Sequence, residues 1–152
     1  MYSAMHDCKI TVLTATVADN AIVTFRGVDM AADGGYDGVC FAFGAVDGSV
    51  VAEFVPKAQQ DTASSFATAA DLAGTAHTFS SLTGVVTCLM DIKSPKERYV
   101  RPILTVPNTA ATCIVCCTAI QYNGRSKPAS LDSTTTNSAT SEFLAEPAEG
   151  TA

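Results

Sequence analysis

The chain is divided into short runs rich in β-branched residues, each ended by Gly, Asp, Asn or Pro, and this punctuation limits its fold more than any other feature. Inside the runs the residue types alternate with period two, so that Val39, Phe41 and Phe43 fall on one face of a strand. About eight such runs and no strong helix predict an all-β fold. The expected architecture is an antiparallel two-sheet sandwich, jelly-roll-like, with an extended C-terminal arm.

Two local features predict how the strands are connected. Asp47-Gly48 stands between the apolar runs 39–46 and 50–55, and Asp-Gly in that position predicts a β-hairpin. Pro102 lies inside the run 98–106, where it removes a backbone donor. We therefore expect Pro102 at a sheet edge or a bulge.

Two further segments have more than one interpretation. Residues 57–76 contain enough Ala for a short helix, but their many Ser and Thr residues favour an extended loop that tucks Phe66 and Leu72 into the core. The last strand, 112–122, places four large or apolar residues on one face. They are Ile114, Cys116, Ile120 and Tyr122.

The composition changes after residue 124, which predicts a β-sandwich domain over 1–124 and a polar arm over 125–152. Residues 133–140 contain nothing apolar larger than Ala and cannot form a core by themselves. Phe143 and Leu144 are the only large apolar residues after Leu131. This pattern is typical of a segment that docks on a neighbouring subunit through Phe143 and Leu144, or of a disordered tail.

Few residues are charged, and the charges are unevenly distributed. Apolar residues make up 47% of the chain and charged residues 16%. Such a surface loses little hydration energy on burial and suits a subunit packed among others. The net charge of −6 excludes non-specific nucleic-acid binding, which depends on neutralising phosphates.

Residues 93–127 form a basic segment between acidic ones, with six Lys or Arg residues and one Glu. Lys93, Lys96, Arg98 and Arg101 flank the start of one strand, and Arg125 and Lys127 follow the end of the last strand. If these two strands are antiparallel neighbours, the basic groups gather at one end of the sandwich. They can pair with carboxylates on a partner subunit or form a solvated rim. The candidate contact residues are Lys96, Arg98, Arg101, Arg125 and Lys127.

The six Cys residues favour reduced thiols over a disulfide framework, since the chain opens without an apolar signal segment. Cys113, Cys116 and Cys117 lack the second ligand pair that zinc needs, so we expect buried core thiols. The acidic Gly-rich stretch 29–38 lacks the EF-hand pattern and is interpreted as a turn with solvated Asp residues. No run is long and apolar enough to span a membrane.

No catalytic, phosphate-binding or dinucleotide-binding motif is present, and the two His residues are isolated. We therefore expect no enzyme activity, no metal and no cofactor. Two other functions stay open. One is a carbohydrate- or receptor-binding β-sandwich, which the absence of Trp disfavours. The other is a metal-dependent cupin-like enzyme, which would need several converging His ligands.

Two strings in the basic segment resemble small structural proteins of tailed phages. They are Lys96-Glu97-Arg98-Tyr99-Val100-Arg101-Pro102 and Ala119-Ile120-Gln121-Tyr122-Asn123-Gly124-Arg125-Ser126-Lys127-Pro128. The stretch from Phe66 to Gly74 and the end Pro147-Ala148-Glu149-Gly150-Thr151-Ala152 also look similar. The likeness is to the jelly-roll cement, or decoration, proteins of the capsid exterior.

That resemblance implies a structural virion protein that binds the outside of a capsid and cements neighbouring major capsid protein subunits. It further implies a dimer or trimer, made in the host cytoplasm and located on the virion. The contacts would use sheet edges, the basic end and the arm. A tail or connector component of the same particle is the alternative, because its sequence would look the same.

Overall fold

The computed structural model describes residues 7–17, 21–46, 51–82, 85–106 and 113–125, which fold into ten β-strands and one 3-10 helix, Ala32–Gly34. The strands are β1 (Lys9–Val17), β2 (Ala21–Thr24), β3 (Val28–Asp29), β4 (Gly38–Val46), β5 (Val51–Asp61), β6 (Ala70–Asp71), β7 (Phe79–Leu82), β8 (Val85–Lys93), β9 (Tyr99–Val106) and β10 (Cys113–Tyr122). They form two antiparallel sheets packed against each other. The predicted β-sandwich is confirmed, while the predicted arm beyond Arg125 lies outside the described residues.

The strand order is that of a jelly roll. The four-stranded sheet has the order β1-β10-β4-β8, and the six-stranded sheet has β2-β9-β5-β6, with β3 also paired to β9 and β7 to β5. From the two ends of the fold inward, β1 pairs with β10, β2 with β9, β4 with β8, and β5 with β7. The chain is thus one long antiparallel ribbon folded over on itself, which is how a jelly roll is built.

The predicted hairpin around Asp47-Gly48 is wrong. β4 is hydrogen-bonded to β10 on one edge and to β8 on the other. β5 belongs to the six-stranded sheet, between β9 and the short strands β6 and β7. Because both edges of β4 are occupied, the next strand has no edge to pair with and crosses to the other sheet. The dipeptide itself lies outside the described residues.

The core lies between the two sheets, where each contributes its inward-facing side chains. Val39, Phe41 and Phe43 are buried there, as the alternation predicts. Phe43 meets Phe25 of the opposite sheet edge to face, with ring centroids 6.1 Å apart. The other buried members of the cluster are Leu13, Val23, Val28, Met30, Tyr36, Phe54, Ala58, Met90, Ile92, Val100, Leu104, Cys117 and Ala119.

In β10 the buried face is not the one that carries the larger apolar residues. Cys117 and Ala119 are fully buried, whereas Cys116, Ile120 and Tyr122 face outward. The reason is volume, because Cys117 pairs with Phe43 and Ala119 with Phe41 across the ladder. Two bulky rings on β4 leave room only for small side chains beside them.

Pro102 was predicted at a sheet edge or a bulge. It lies in a central strand and not at an edge, but it does lie at a β-bulge. The pairing with β9 shifts by one residue between Thr24–Ile103 in β2 and Val28–Val100 in β3. The Pro102 carbonyl accepts a hydrogen bond from the Phe25 N–H at 3.2 Å. The N–H that Pro102 lacks would point to the same side as this carbonyl, toward β2 and β3 and away from β5. The β5–β9 ladder therefore loses no hydrogen bond.

Pro56, in β5, also turns its carbonyl and its missing N–H toward an outer strand, in this case β7. Its carbonyl accepts a hydrogen bond from the His77 N–H at 3.1 Å, just before β7 begins at Phe79. The missing N–H again faces away from the β5–β9 ladder. Each proline therefore stands on a central strand at the point where pairing with an outer strand stops.

Residues 57–76 contain no helix, in agreement with the loop interpretation. β5 continues to Asp61, and the chain then turns back over the outer face of the six-stranded sheet before β6. Leu72 is half-buried against the core as expected. Phe66 is buried too, but on the outer face of the sheet, where its ring lies over Gly27 and packs against Tyr99.

Candidate functional site

Three loops meet at one end of the sandwich, and backbone hydrogen bonds hold them together. The loops are 29–37, 93–98 and 123–125, called here the loop end. The Ser94 N–H donates to the Asp37 carbonyl at 2.7 Å, and the Met30 N–H donates to the Arg98 carbonyl at 2.8 Å. The Arg125 N–H donates to the Gly35 carbonyl at 3.0 Å.

Four basic residues lie together at the loop end: Lys93, Lys96, Arg98 and Arg125. The predicted cause of this clustering is wrong, because β9 and β10 lie in different sheets and are not neighbours. It is the antiparallel ribbon that brings them together, since the end of β8, the start of β9 and the end of β10 all fall at this end.

Arg98 is occupied by an intramolecular partner. Its Nε and Nη2 donate to the two carboxylate oxygens of Asp29 at 2.9 and 2.8 Å, a bidentate pair. The Arg98 guanidinium, followed by the Ala31 N–H, holds the pKa of Asp29 below its ordinary value. Arg98 therefore fixes the loop end more directly than it offers a free charge to a partner.

Asp33 is occupied as well, so the acidic stretch is not a set of solvated carboxylates. The Asp33 carboxylate accepts hydrogen bonds from the Tyr36 hydroxyl at 2.8 Å and from the Lys9 ammonium at 3.4 Å. Burial, together with the Asp33 contact, raises the pKa of Tyr36. Asp29 and Asp33 thus shape the loop between β3 and β4, while Asp37 is exposed.

Lys93, Lys96 and Arg125 remain as charges that the loop end presents outward. All three side chains are exposed, and none makes an ion pair with any residue that the structure describes. Lys96 and Arg125 are two of the predicted contact residues. Lys127, Phe143 and Leu144 lie outside the described residues, so their part in a contact stays a prediction.

Arg101 lies apart from the loop end, on the outer face of the six-stranded sheet. Its Nε and Nη2 donate to Gln59 Oε1 at 3.0 and 2.8 Å, and its guanidinium lies 4.4 Å from the centre of the Phe66 ring. Gln59 in turn donates to Asp71 at 2.7 Å, and Asp71 pairs with Lys57 at 2.7 Å. This network covers the sheet and attaches β6.

Asp61 holds the loop that carries Phe66. Its side chain is only 3% exposed, and its oxygens accept hydrogen bonds from the N–H groups of Ala63 and Thr68 at 3.1 and 2.9 Å. The Thr68 hydroxyl and the Thr62 hydroxyl donate to it as well. These donors, the Ala63 N–H first, hold the pKa of Asp61 below its ordinary value.

Cys113, Cys116 and Cys117 were expected to be buried core thiols, which is confirmed for Cys117 and wrong for Cys116, while the side chain of Cys113 lies outside the described residues. Cys117 is fully buried, and burial raises its pKa, whereas Cys116 is exposed and donates to the Gly44 carbonyl at 3.5 Å. Strand alternation makes this separation unavoidable. Within the described ranges, no group of three or more His, Cys, Asp or Glu residues has a metal-binding arrangement.

The outer face of the four-stranded sheet has an unusual composition. Ten described residues that cover most of it are exposed or half-buried and uncharged, and its two charged residues, Asp91 and Lys93, lie at one end of the edge strand β8. The ten uncharged residues are Ile10, Val12, Cys40, Ala42, Gly44, Thr87, Leu89, Cys116, Thr118 and Ile120, called here the uncharged face. Leu89, 69% exposed, is its most protruding apolar side chain.

The ladder register arranges these residues in rows across the sheet. Val12, Thr118, Ala42 and Leu89 form one row, and Ile10, Ile120, Cys40 and Asp91 form the next, so that the only charge in these two rows lies at the edge strand. A solvated antiparallel face normally carries charged or strongly polar residues at such positions. The uncharged face is therefore built like the centre of a protein–protein interface, where charged residues are depleted.

A polar rim closes the uncharged face toward the loop end. The Tyr122 side chain lies across Gly38, and its hydroxyl donates to Asp91 Oδ1 at 2.8 Å. A side chain at position 38 would overlap the Tyr122 ring, so glycine is required there. Burial and the Asp91 contact raise the pKa of Tyr122 to about 12.

The distribution of charges along the sequence contains a signal for this face. The stretches 10–17, 38–46, 85–90 and 113–122 contain no Asp, Glu, Lys or Arg, and all four belong to the four-stranded sheet. The three charged residues of its strands, Lys9, Asp91 and Lys93, all lie at the loop end of the sheet. The absence of charge from the rest of both faces indicates a sheet that is covered on both sides.

Comparison with known proteins gave no match among family models, curated protein sequences or solved structures. No helix within the described ranges is both long and apolar enough to cross a membrane. The fold and the surface define the class, a two-sheet jelly roll with one uncharged outer face.

Proposed function

We propose that this protein is a structural component of a tailed-phage particle that binds the outside of the capsid and cements neighbouring major capsid protein subunits. The uncharged face is the observation that carries the proposal. A face of this kind costs little to desolvate and gains hydrophobic stabilisation when another protein covers it. It supports a function based on contact with other subunits.

The loop end supplies a second contact of different character. Lys93, Lys96 and Arg125 are exposed and have no carboxylate partner among the described residues, so each can pair with an acidic group on a capsid subunit. Asp29–Arg98 and Asp33–Lys9 hold the surrounding backbone in place. A preformed surface of this kind loses little conformational entropy on binding.

The test uses intact capsids assembled from the major capsid protein of the genome that encodes this chain. The purified protein is mixed with them, the particles are sedimented through a cushion, and the bound fraction is measured against concentration. We expect saturable binding at a fixed number of copies per capsid subunit, and a higher melting temperature of the decorated particle. Absence of sedimentation with capsids overturns the proposal.

A pair of matched variants tests the role of the loop end. Lys96→Glu reverses an exposed charge there, and the double variant Thr24→Glu/Thr78→Glu lowers the net charge by the same two units at exposed positions away from the loop end. We expect Lys96→Glu to weaken capsid binding several-fold, mainly through slower association, and added salt to reduce the difference. Equal weakening by both variants would show that net charge, not the loop end, controls binding.

A further inference from the structure

The four-stranded sheet that carries the uncharged face has the size of a complete interface. The strands β1, β4 and β8 have nine residues each, and β10 has ten. With about 3.4 Å per residue and about 4.8 Å between strands, the sheet measures roughly 30 by 20 Å, about 600 Å² per copy. Two copies covering each other would bury about 1,200 Å², which is within the range of specific protein–protein interfaces.

The charge distribution favours a second copy as the occupant. The chain carries a net charge of −6, so two copies repel each other over most of their surfaces. The uncharged face is a surface where they can meet without bringing carboxylates together. Asp91 and Lys93, the charges nearest to it, lie at its rim, and the Asp91 carboxylate is already bonded to Tyr122.

The shape of the uncharged face is also complementary to the same face of a second copy. Leu89 protrudes from the edge strand β8, while Ile10 and Val12 on the opposite edge strand β1 are half-buried, and β4 between them shows only Cys40, Ala42 and Gly44. A two-fold axis parallel to the strands places β8 of each copy over β1 of the other. Leu89 then packs on Val12 of the partner and Asp91 lies opposite Ile10 of the partner, twice in each pair.

We propose that two copies of this chain associate through their uncharged faces into a two-fold dimer that packs sheet on sheet. The assignment rests on the proposed function, since it names the occupant of the face that carries that function, and it leaves both loop ends free for the capsid. Sheets packed face to face lie about 10 Å apart, a spacing that side chains of this size fill.

The first experiment measures molar mass in solution across a concentration series by light scattering or sedimentation. Leu89→Lys and Ile22→Lys form a matched pair, because both residues are 69% exposed and lie on edge strands, one in each sheet. We expect a dimer for the wild type and for Ile22→Lys, and at least a tenfold higher dissociation constant for Leu89→Lys. Circular dichroism checks that both variants remain folded.

The second experiment uses Cys116, the exposed thiol of the face. In the proposed dimer the two Cys116 residues lie opposite each other, with Cα atoms about 11 Å apart from the sheet and strand spacings. Cys40 lies on the same face at the same distance from the axis. A short bismaleimide should therefore link the wild type into a covalent dimer, and the double variant Cys40→Ser/Cys116→Ser should abolish that product. A covalently linked dimer of the double variant would place the contact elsewhere and overturn the assignment.

The outcomes separate this inference from the proposed function. A wild type that is monomeric at all concentrations, or a dimer that Ile22→Lys disrupts as strongly as Leu89→Lys, overturns the inference. If a monomeric wild type binds capsids and Leu89→Lys does not, the uncharged face binds the capsid protein. The dimer is then wrong and the proposed function stands. If the dimer forms through this face but does not bind capsids, the face assignment holds and the capsid function falls.

Discussion

Asp61 shows how a single buried carboxylate organises a loop that has no regular structure. Four donors converge on its two oxygens, and all of them come from residues 62–68. The loop is thereby folded back so that Phe66 covers Gly27 and stacks on Arg101. Phe66 adopts a positive φ of 52°, a conformation that a bulky residue takes only where its surroundings enforce it.

We expect Asp61→Asn to lower the urea midpoint at pH 7, because an amide cannot accept all of these hydrogen bonds. The folded-state pKa of Asp61 lies below its ordinary value, so its contribution to stability is complete above that value, about 3.9. The contribution disappears as the pH falls through the folded-state pKa. The gap in midpoint between wild type and variant should therefore narrow from pH 7 to pH 3.

Asp37→Asn is the control, since Asp37 is exposed and its carboxylate has no hydrogen bond among the described contacts. It should leave the midpoint nearly unchanged at both pH values. A gap between wild type and Asp61→Asn that stays constant with pH would contradict the assigned role of the Asp61 carboxylate.

At the scale of elements, the two prolines show how a central ladder tolerates a residue without an N–H. Pro56 and Pro102 both turn their missing donor away from the β5–β9 ladder, toward places where an outer strand has already stopped pairing. Proline is therefore tolerated in β5 and β9 at positions whose N–H would point away from the β5–β9 ladder. At the alternate positions the N–H points into that ladder and is needed for a hydrogen bond.

We expect Thr105→Pro to lower the free energy of unfolding by about 3 kcal/mol or more relative to Thr105→Ala. Thr105 pairs with Val55 in the β5–β9 ladder and has the opposite orientation to Pro102, so its N–H points toward β5. Urea unfolding of the two variants isolates the loss of this donor. Pro102→Ala, in contrast, should keep the amide-exchange protection of β5 and β9.

How far the sequence predicts these elements depends on what each pattern encodes. Alternation in 39–46 identifies a strand and its buried residues correctly, because a strand's two faces differ in hydrophobicity. It does not identify the partner strand, which is why the Asp47-Gly48 hairpin fails. In β10 the alternation does not identify which face is buried, because Cys117 and Ala119 are selected by the volume of Phe41 and Phe43, which only the ladder register brings beside them.

The sequence predicts the candidate site in part as well. The clustering of Lys96, Arg98 and Arg125 at one end follows from the order of strands, but their different roles follow from contacts that no sequence pattern contains. Arg98 is paired with Asp29, while Lys96 and Arg125 are not paired among the described residues. The uncharged face could be predicted only once four charge-free stretches are assigned to a single sheet.

For the whole molecule, the ribbon topology makes both ends of the domain indispensable. β10 stands between β1 and β4, and β1 pairs with no other strand in the part of the chain that the structure describes. A chain that lacks β10 therefore loses the connection of β1 to the fold. A chain that ends after Arg125 keeps every described strand and the Arg125–Gly35 hydrogen bond.

We expect a variant that ends at Arg125 to fold with a cooperative urea transition, and one that ends at Val106 to be unfolded by circular dichroism. The first variant should also bind capsids more weakly if the segment after Arg125, with Phe143 and Leu144, makes a contact of its own. An unfolded 1–125 chain would contradict the domain boundary, and a folded 1–106 chain would contradict the ribbon topology.

The position of β10 has a consequence for biosynthesis. Of the described strands, β1 is synthesised before all the others but pairs with residues 113–122, which are synthesised after them. At 5–20 residues per second, the nearly one hundred intervening residues take roughly 5–20 s to synthesise. During that time an apolar nine-residue segment has no native partner, so nascent chains of this protein should depend on chaperones, and slowing translation should increase their aggregation.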